Sequence, residues 1–160
     1  MKTESEANRA ISLYADTVRR ICFVHLKNYN DVEDVFQDVF LKYILHEKKF
    51  ESDAHERAWL IRVTINACKD VLRNPFRRLV CSIEDITAEP FYIQESEGEL
   101  LKYILSLPPK YKDVIYLFYY EGYSAVEIAE IMHKKENTVY TWLDRARKAL
   151  KKQLGGEPIE

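Results

Sequence analysis

The chain has 160 residues, 47% of them apolar and 31% charged, which allows one compact domain or two small ones. Four glycines and five prolines are too few for the turns of an all-β protein, and no apolar run approaches the roughly 18 residues a membrane span needs. The formal net charge of −2 does not exclude a nucleic-acid partner, because Glu84, Asp85, Glu89, Glu95, Glu97 and Glu99 lie together without a basic residue, whereas Lys134, Lys135, Arg145, Arg147, Lys148, Lys151 and Lys152 face only Glu136 and Asp144.

The first helix is predicted from about Ala7 to Leu26, with Ile11, Tyr14, Ala15, Val18, Ile21 and Cys22 at helical spacing. Asn30 followed by Glu33 has the form of a capping box and predicts a second helix from about Asp31 to His46. Val32, Val35, Phe36, Val39, Phe40 and Tyr43 form its apolar stripe. Asp34, Gln37, Asp38 and Leu41 recur at i, i+3, i+4, i+7 on the other side, either a solvated face or a protein-docking face with Leu41 as its apolar anchor. Asp34 and Asp38 alone make a weak metal site.

Lys48, Lys49 and Phe50 follow in a short loop; there the aromatic ring either stacks on an unpaired base or plugs the core. Asp53 followed by Glu56 predicts the start of a third helix, which stops at Arg73, ahead of Asn74-Pro75. Leu60, Val63, Ala67 and Val71, with Trp59, are its core candidates. Arg62, Asn66, Lys69 and Arg73 occupy i, i+4, i+7, i+11, a basic solvated stripe or a nucleic-acid surface on which cations meet phosphates and the amide meets a base edge. From Pro75 to Glu97 the chain is acidic and without sustained period, and reads as a linker between two helical domains.

A helix from Gly98 to Ser106 leads into Pro108-Pro109, where proline in the first turn starts another that runs to about Tyr120. Ser124 and Glu127 form a capping box for a helix to about Met132. His133-Lys134-Lys135 makes a tight turn into a final helix from Glu136 to Leu154. Val139, Leu143, Ala146 and Leu150 are its buried side, while Asn137, Tyr140, Thr141, Asp144, Arg145 and Lys148 point outward. This is a helix-turn-helix, whose second helix meets base edges with its N-terminal part. Thr141 and Asp144 are candidates for base contacts, and Arg145, Arg147 and Lys148 for phosphates. A helical hairpin with a charged face is the alternative.

Cys22, Cys68 and Cys81 lack metal-ligand spacing and read as reduced thiols of a cytoplasmic protein, and His25, His46, His55 and His133 form no ligand pattern. MKTESEANRAI lacks the apolar core of a signal peptide. Neither a cofactor nor a metal is expected.

These marks in their order resemble a bacterial RNA polymerase sigma factor of the extracytoplasmic-function (ECF) group. They are Glu33-Asp34-Val-Phe-Gln37-Asp38-Val-Phe40-Leu41, Ala58-Trp59-Leu60-Ile-Arg62 with Asn66, Leu107-Pro108-Pro109-Lys110-Tyr111, Tyr119-Tyr-Glu121-Gly122-Tyr123-Ser124, Glu127-Ile128-Ala129, Thr138-Val139 and Arg145-Ala146-Arg147. The resemblance implies an all-α fold of two small helical domains, a region-two-like domain over 1–76 and a region-four-like domain over 98–156, joined by an acidic linker over 77–97.

It further implies that Asp34, Gln37, Asp38 and Leu41 dock on the β′ clamp helices of core RNA polymerase. Lys48, Lys49, Phe50, Arg62, Asn66, Lys69 and Arg73 would recognise and melt the minus-ten element. Lys135, Asn137, Thr138, Tyr140, Thr141, Asp144, Arg145 and Lys148 would bind the minus-thirty-five duplex, with the β flap and a separate anti-sigma factor as further partners. The linker would thread the active-site and RNA-exit path. Such a protein has no catalysis of its own. The chain departs from the family where His133 takes a position often held by Gly, Lys135 one usually held by a small cap, and Tyr140 and Trp142 positions often held by basic residues. On the residues alone, a helix-turn-helix regulator with a helical sensor or dimer domain is the rival, and a protein-binding adaptor the third class.

Overall fold

The computed structural model describes residues 1–74 and 98–154, and every regular element among them is helical. They belong to two compact units, the first holding α1 (Glu4–His25), α2 (Tyr29–Leu45) and α3 (Asp53–Arg73). The second holds α4 (Gly98–Leu105), α5 (Pro109–Ile115) with a π-helical turn Tyr116–Tyr120, α6 (Ala125–Met132) and α7 (Glu136–Gln153). The segment expected as an acidic linker, 77–97, and Cys81 within it lie outside the described residues.

In the first unit each helix packs on the other two. Tyr14, Val18 and Cys22 from α1, Val32, Val35, Val39, Phe40 and Tyr43 from α2, and Leu60, Ala67 and Cys68 from α3 form the core. Phe36, Trp59, Val63 and Val71 close over it half-buried. Cys22 and Cys68 are buried free thiols.

All three helix starts differ from the sequence expectation. α1 begins three residues before Ala7, because Thr3 and Glu6 make a full capping box: Thr3 Oγ1 accepts from the Glu6 N–H and Glu6 accepts from the Thr3 N–H. α2 is capped by Asn28, whose Oδ1 accepts from the Asn30 N–H at 2.7 Å, so Asn30 is already helical and its pairing with Glu33 is not a cap. α3 is capped by Ser52, which accepts from the His55 N–H at 3.1 Å. Asp53 and Glu56 do not box this terminus, because both carboxylates turn to Arg9 of α1. α3 ends at Arg73, as its Asn74-Pro75 stop requires.

In the second unit α5 and α6 pack on α7 through Val114, Ile115, Ile128, Ala129, Val139, Leu143, Ala146 and Leu150, all buried. Pro109 occupies the first turn of α5, where its missing N–H costs nothing. The continuous α-helix expected to Tyr120 instead widens into the π turn, in which the Tyr116 and Tyr120 rings stack at 5.8 Å and the Tyr116 hydroxyl donates to Glu121. Gly122, at φ 76°, then reverses the chain into Ser124.

No helix among the described residues is long and apolar enough to cross a membrane, and no group of His, Cys, Asp and Glu among them could hold a metal ion.

Candidate functional site

On α2 the apolar stripe is inward, and Asp34, Gln37, Asp38 and Leu41 all stand exposed on the opposite face. Leu41 is 55% exposed, and Leu45, one turn further along the same face, is 56% exposed. The i, i+3, i+4, i+7 pattern from Asp34 ends at Leu41. Leu45, at i+11 from Asp34, extends the same face by one turn. Asp38 meets Lys42 at 3.0 Å, both side chains about half exposed, so the pair is a weak competitor for an incoming partner.

The loop between α2 and α3 places Lys48 and Lys49 in solvent but not Phe50. Phe50 lies parallel to Tyr43 at 6.1 Å, stacks on His46 at 5.2 Å and meets Trp59 at 5.5 Å. Lys2 ties this aromatic cluster down. Its Nζ donates to the His46 carbonyl at 2.6 Å and lies 4.6 Å from the Tyr43 ring centroid and 5.3 Å from that of Phe50. Phe50 is thus the plug of the two alternatives in this conformation. Burial, and after it the charges of Lys2, Lys48, Arg62 and His55, lower the His46 pKa from 6.5, so the ring is neutral at pH 7.

Below the cluster lies Glu56, 6% exposed, which accepts from the Tyr43 hydroxyl at 2.8 Å and from Arg9 Nη1 at 3.0 Å. Burial, and then the bond to Glu56, raise the Tyr43 phenol well above its ordinary pKa; burial, and then the nearby Glu56 carboxylate, push Tyr14, whose hydroxyl donates to the Asp53 carbonyl at 3.3 Å, up to about 12. Both phenols therefore stay protonated as donors. Glu56 is a buried carboxylate satisfied by long-range partners, and it locks the start of α3 to α1 and α2.

Along α3, Arg62, Asn66, Lys69 and Arg73 form one outward stripe, Asn66 and Arg73 exposed and Arg62 and Lys69 half-buried. The opposite side is wider than the sequence suggested, since Ile61, Thr64 and Ile65 are buried with Leu60 and Ala67.

The helix-turn-helix has the geometry its sequence predicts. Ser124 accepts from the Glu127 N–H at 3.2 Å and Glu127 accepts from the Ser124 N–H at 3.0 Å. Those bonds, the backbone one first, lower the Glu127 pKa. His133 closes α6 in the left-handed region, at φ 54°, the one non-glycine residue to do so among those described. Lys135 takes the cap position of α7 without a side-chain bond to offer.

On α7, Asn137, Tyr140, Thr141, Asp144, Arg145 and Lys148 are exposed and Thr138 half-buried. The Thr141 hydroxyl donates to the Asn137 carbonyl at 2.9 Å, leaving its lone pairs to accept. Asp144 and Lys148 form an exposed pair at 3.0 Å. Arg145 has no bonded partner among the described residues. Arg147, expected at a phosphate, is half-buried: its Nε donates to the Tyr119 hydroxyl at 2.9 Å and its guanidinium lies over Phe118 at 5.2 Å. The aromatics of the π turn provide a seat for the guanidinium that sequence spacing could not show. Trp142 is half-buried, with Lys110 and Lys134 over its ring.

Residues 10–78 match the family model described as Sigma-70 region 2, and residues 97–150 match Sigma-70, region 4. The chain is 29% identical over 161 residues to the ECF RNA polymerase sigma factor SigW of Bacillus subtilis, covering 90% of this chain and 86% of SigW. Among solved structures it resembles the sigma factor RpoE in complex with the anti-sigma factor NepR from Bartonella quintana. The TM-score is 0.73 and the identity 20%, over 92% of this chain and 96% of RpoE. It also resembles CnrH in complex with the cytosolic domain of CnrY, with a TM-score of 0.69 and 22% identity over 97% of this chain and 91% of the other. With a region 2 face carried by α2 and α3 and a region 4 helix-turn-helix carried by α6 and α7, the chain belongs to the ECF group of bacterial RNA polymerase sigma factors.

Proposed function

We propose that this protein binds core RNA polymerase in the cytoplasm and directs it to a restricted set of promoters, with the polymerase supplying the chemistry. The observation that carries the reading is a set of three chemically different polar faces, on α2 and α3 of the unit that matches Sigma-70 region 2 and on α7 of the unit that matches region 4. On α2, an apolar anchor of Leu41 and Leu45 is ringed by Asp34, Gln37 and Asp38 and suits a helical protein partner, the β′ clamp. On α3, Arg62, Asn66, Lys69 and Arg73 suit a nucleic acid, the minus-ten strand, with Lys48 and Lys49 beside them. On α7, Asn137, Thr138, Tyr140, Thr141, Asp144, Arg145 and Lys148, with Lys135, suit the minus-thirty-five duplex.

Phe50 contributes by holding the minus-ten loop in shape. The domains run 1–76 and 98–156, and the acidic run 77–97 imitates nucleic acid along the polymerase channel. A β-flap contact and an anti-sigma partner complete the assembly; the similar RpoE is solved with the anti-sigma factor NepR, and the similar CnrH with the cytosolic domain of CnrY.

A regulator with its own sensor domain is the rival. It is disfavoured by the match of residues 10–78 to Sigma-70 region 2, which leaves α1–α3 to polymerase and promoter. The test is co-purification of the full chain with core polymerase. The parent chain co-elutes and Asp38→Arg does not, while circular dichroism shows both folded. Co-elution of Asp38→Arg at parental yield overturns the docking face.

A further inference from the structure

The second unit brings three side chains from three separate segments onto one spot. Lys110 comes from the first turn of α5, Lys134 from the turn between α6 and α7, and Trp142 from the second turn of α7. The Lys110 ammonium lies 5.6 Å from the Trp142 ring centroid and the Lys134 ammonium 6.0 Å. Both lysines are exposed, and neither has an acidic partner among the described residues. The Trp142 indole N–H is likewise without an acceptor among them.

Two like charges gathered around one aromatic ring repel each other, and the ring attracts each only through its quadrupole. An anion between them removes that repulsion, and the indole N–H adds a third donor. The place of this group on α7 selects the anion. Trp142 stands one turn after Thr138 and one turn before Arg145, on the flank of the outward face rather than at its centre. A duplex met by the centre of that face presents its bases to Asn137 and Thr141 and its strand backbones to the flanks. Lysine ammonium groups act as point charges and suit a single phosphate, without the planar match that base reading needs.

We infer that Lys110, Lys134 and Trp142 form a clamp for one backbone phosphate of the promoter duplex at the edge of the helix-turn-helix. This rests on the promoter-binding reading above and deepens it. The clamp orients α7 on the duplex and takes no part in base choice.

The test measures closed-complex affinity of holoenzyme, reconstituted from the full chain and core polymerase, for a promoter duplex between about 50 and 200 mM salt. Because one phosphate is shared, Lys110→Gln with Lys134→Gln flattens the log–log salt slope by about 1. That corresponds to a roughly 3- to 4-fold smaller fall in affinity across the range. Lys110→Arg with Lys134→Arg keeps both charges and restores the parental slope. An unchanged slope in the glutamine variant overturns the clamp, as does a loss of about 2 with each single variant contributing equally, which means two separate phosphates. A parent whose affinity for promoter duplex has no salt dependence overturns the promoter reading itself, and the clamp with it.

Discussion

Removing the Tyr43 hydroxyl tests whether Glu56 locks the first unit. In Tyr43→Phe the ring keeps its contacts with Phe50 and Trp59, so the substitution isolates the bond to Glu56, 2.8 Å long between side chains 2% and 6% exposed. A hydrogen bond to a charged group contributes about 1.5–3 kcal/mol, and its loss leaves one oxygen of the buried Glu56 carboxylate short of a donor. A cost of about 2 kcal/mol lowers the midpoint of a unit this size by roughly 8–16 °C. The chain has two tryptophans, Trp59 in the first unit and Trp142 in the second, so a Trp142→Phe background reports the first unit by fluorescence alone. Thermal and urea unfolding of Tyr43→Phe, Glu56→Gln and the double variant then measure the coupling. The double variant costs less than the sum of the singles by about 1 kcal/mol or more. A Tyr43→Phe protein within about 0.5 kcal/mol of its parent refutes the lock.

Other perturbations separate the faces. Asn66→Ala leaves closed-complex affinity near parental while reducing permanganate reactivity of minus-ten thymines severalfold; equal loss of both contradicts a role in holding the melted strand. Arg145→Ala flattens the salt slope of duplex binding by about 1, whereas Arg147→Ala leaves the slope alone and lowers the thermal midpoint of the second unit. A flattened slope in Arg147→Ala contradicts its seat on Phe118 and Tyr119. Lys135→Asp supplies the missing cap and stabilises the second unit by about 1 kcal/mol, while weakening duplex binding through the lost cation and the added charge. Weaker stability together with weaker binding goes against Lys135 as an uncapped terminus.

What the sequence made legible was governed by short-range periodicity. The buried side of α7, the Ser124–Glu127 box and the stop ahead of Pro75 follow from spacing within one or two turns, and the structure agrees with each. The outward stripes of α2 and α3 were legible for the same reason, because a helix face is a local property. Cap choice was not, since Asn30/Glu33 and Asp53/Glu56 match the capping-box pattern, whereas the true caps Asn28 and Ser52, followed three residues on by Asp31 and His55, do not. The positions of Arg9, 47 residues from Glu56, and of Tyr43, 13 residues from it, decide what Glu56 does. Arg147 likewise needed the π turn 28 residues away, which no local pattern announces. The group of Lys110, Lys134 and Trp142 exists only once α5 lies against α7. Contacts between residues distant in sequence are therefore what local spacing does not show, whereas the buried and exposed sides of each helix follow from it.

In vitro transcription on a fragmented genomic library, with core polymerase alone or with the full chain added and start sites mapped, tests the central claim most directly. A small set of new start sites appears only with the chain, each preceded by a shared pair of elements at one spacing, and vanishes with Asp38→Arg. A start-site pattern identical to that of core polymerase alone contradicts it.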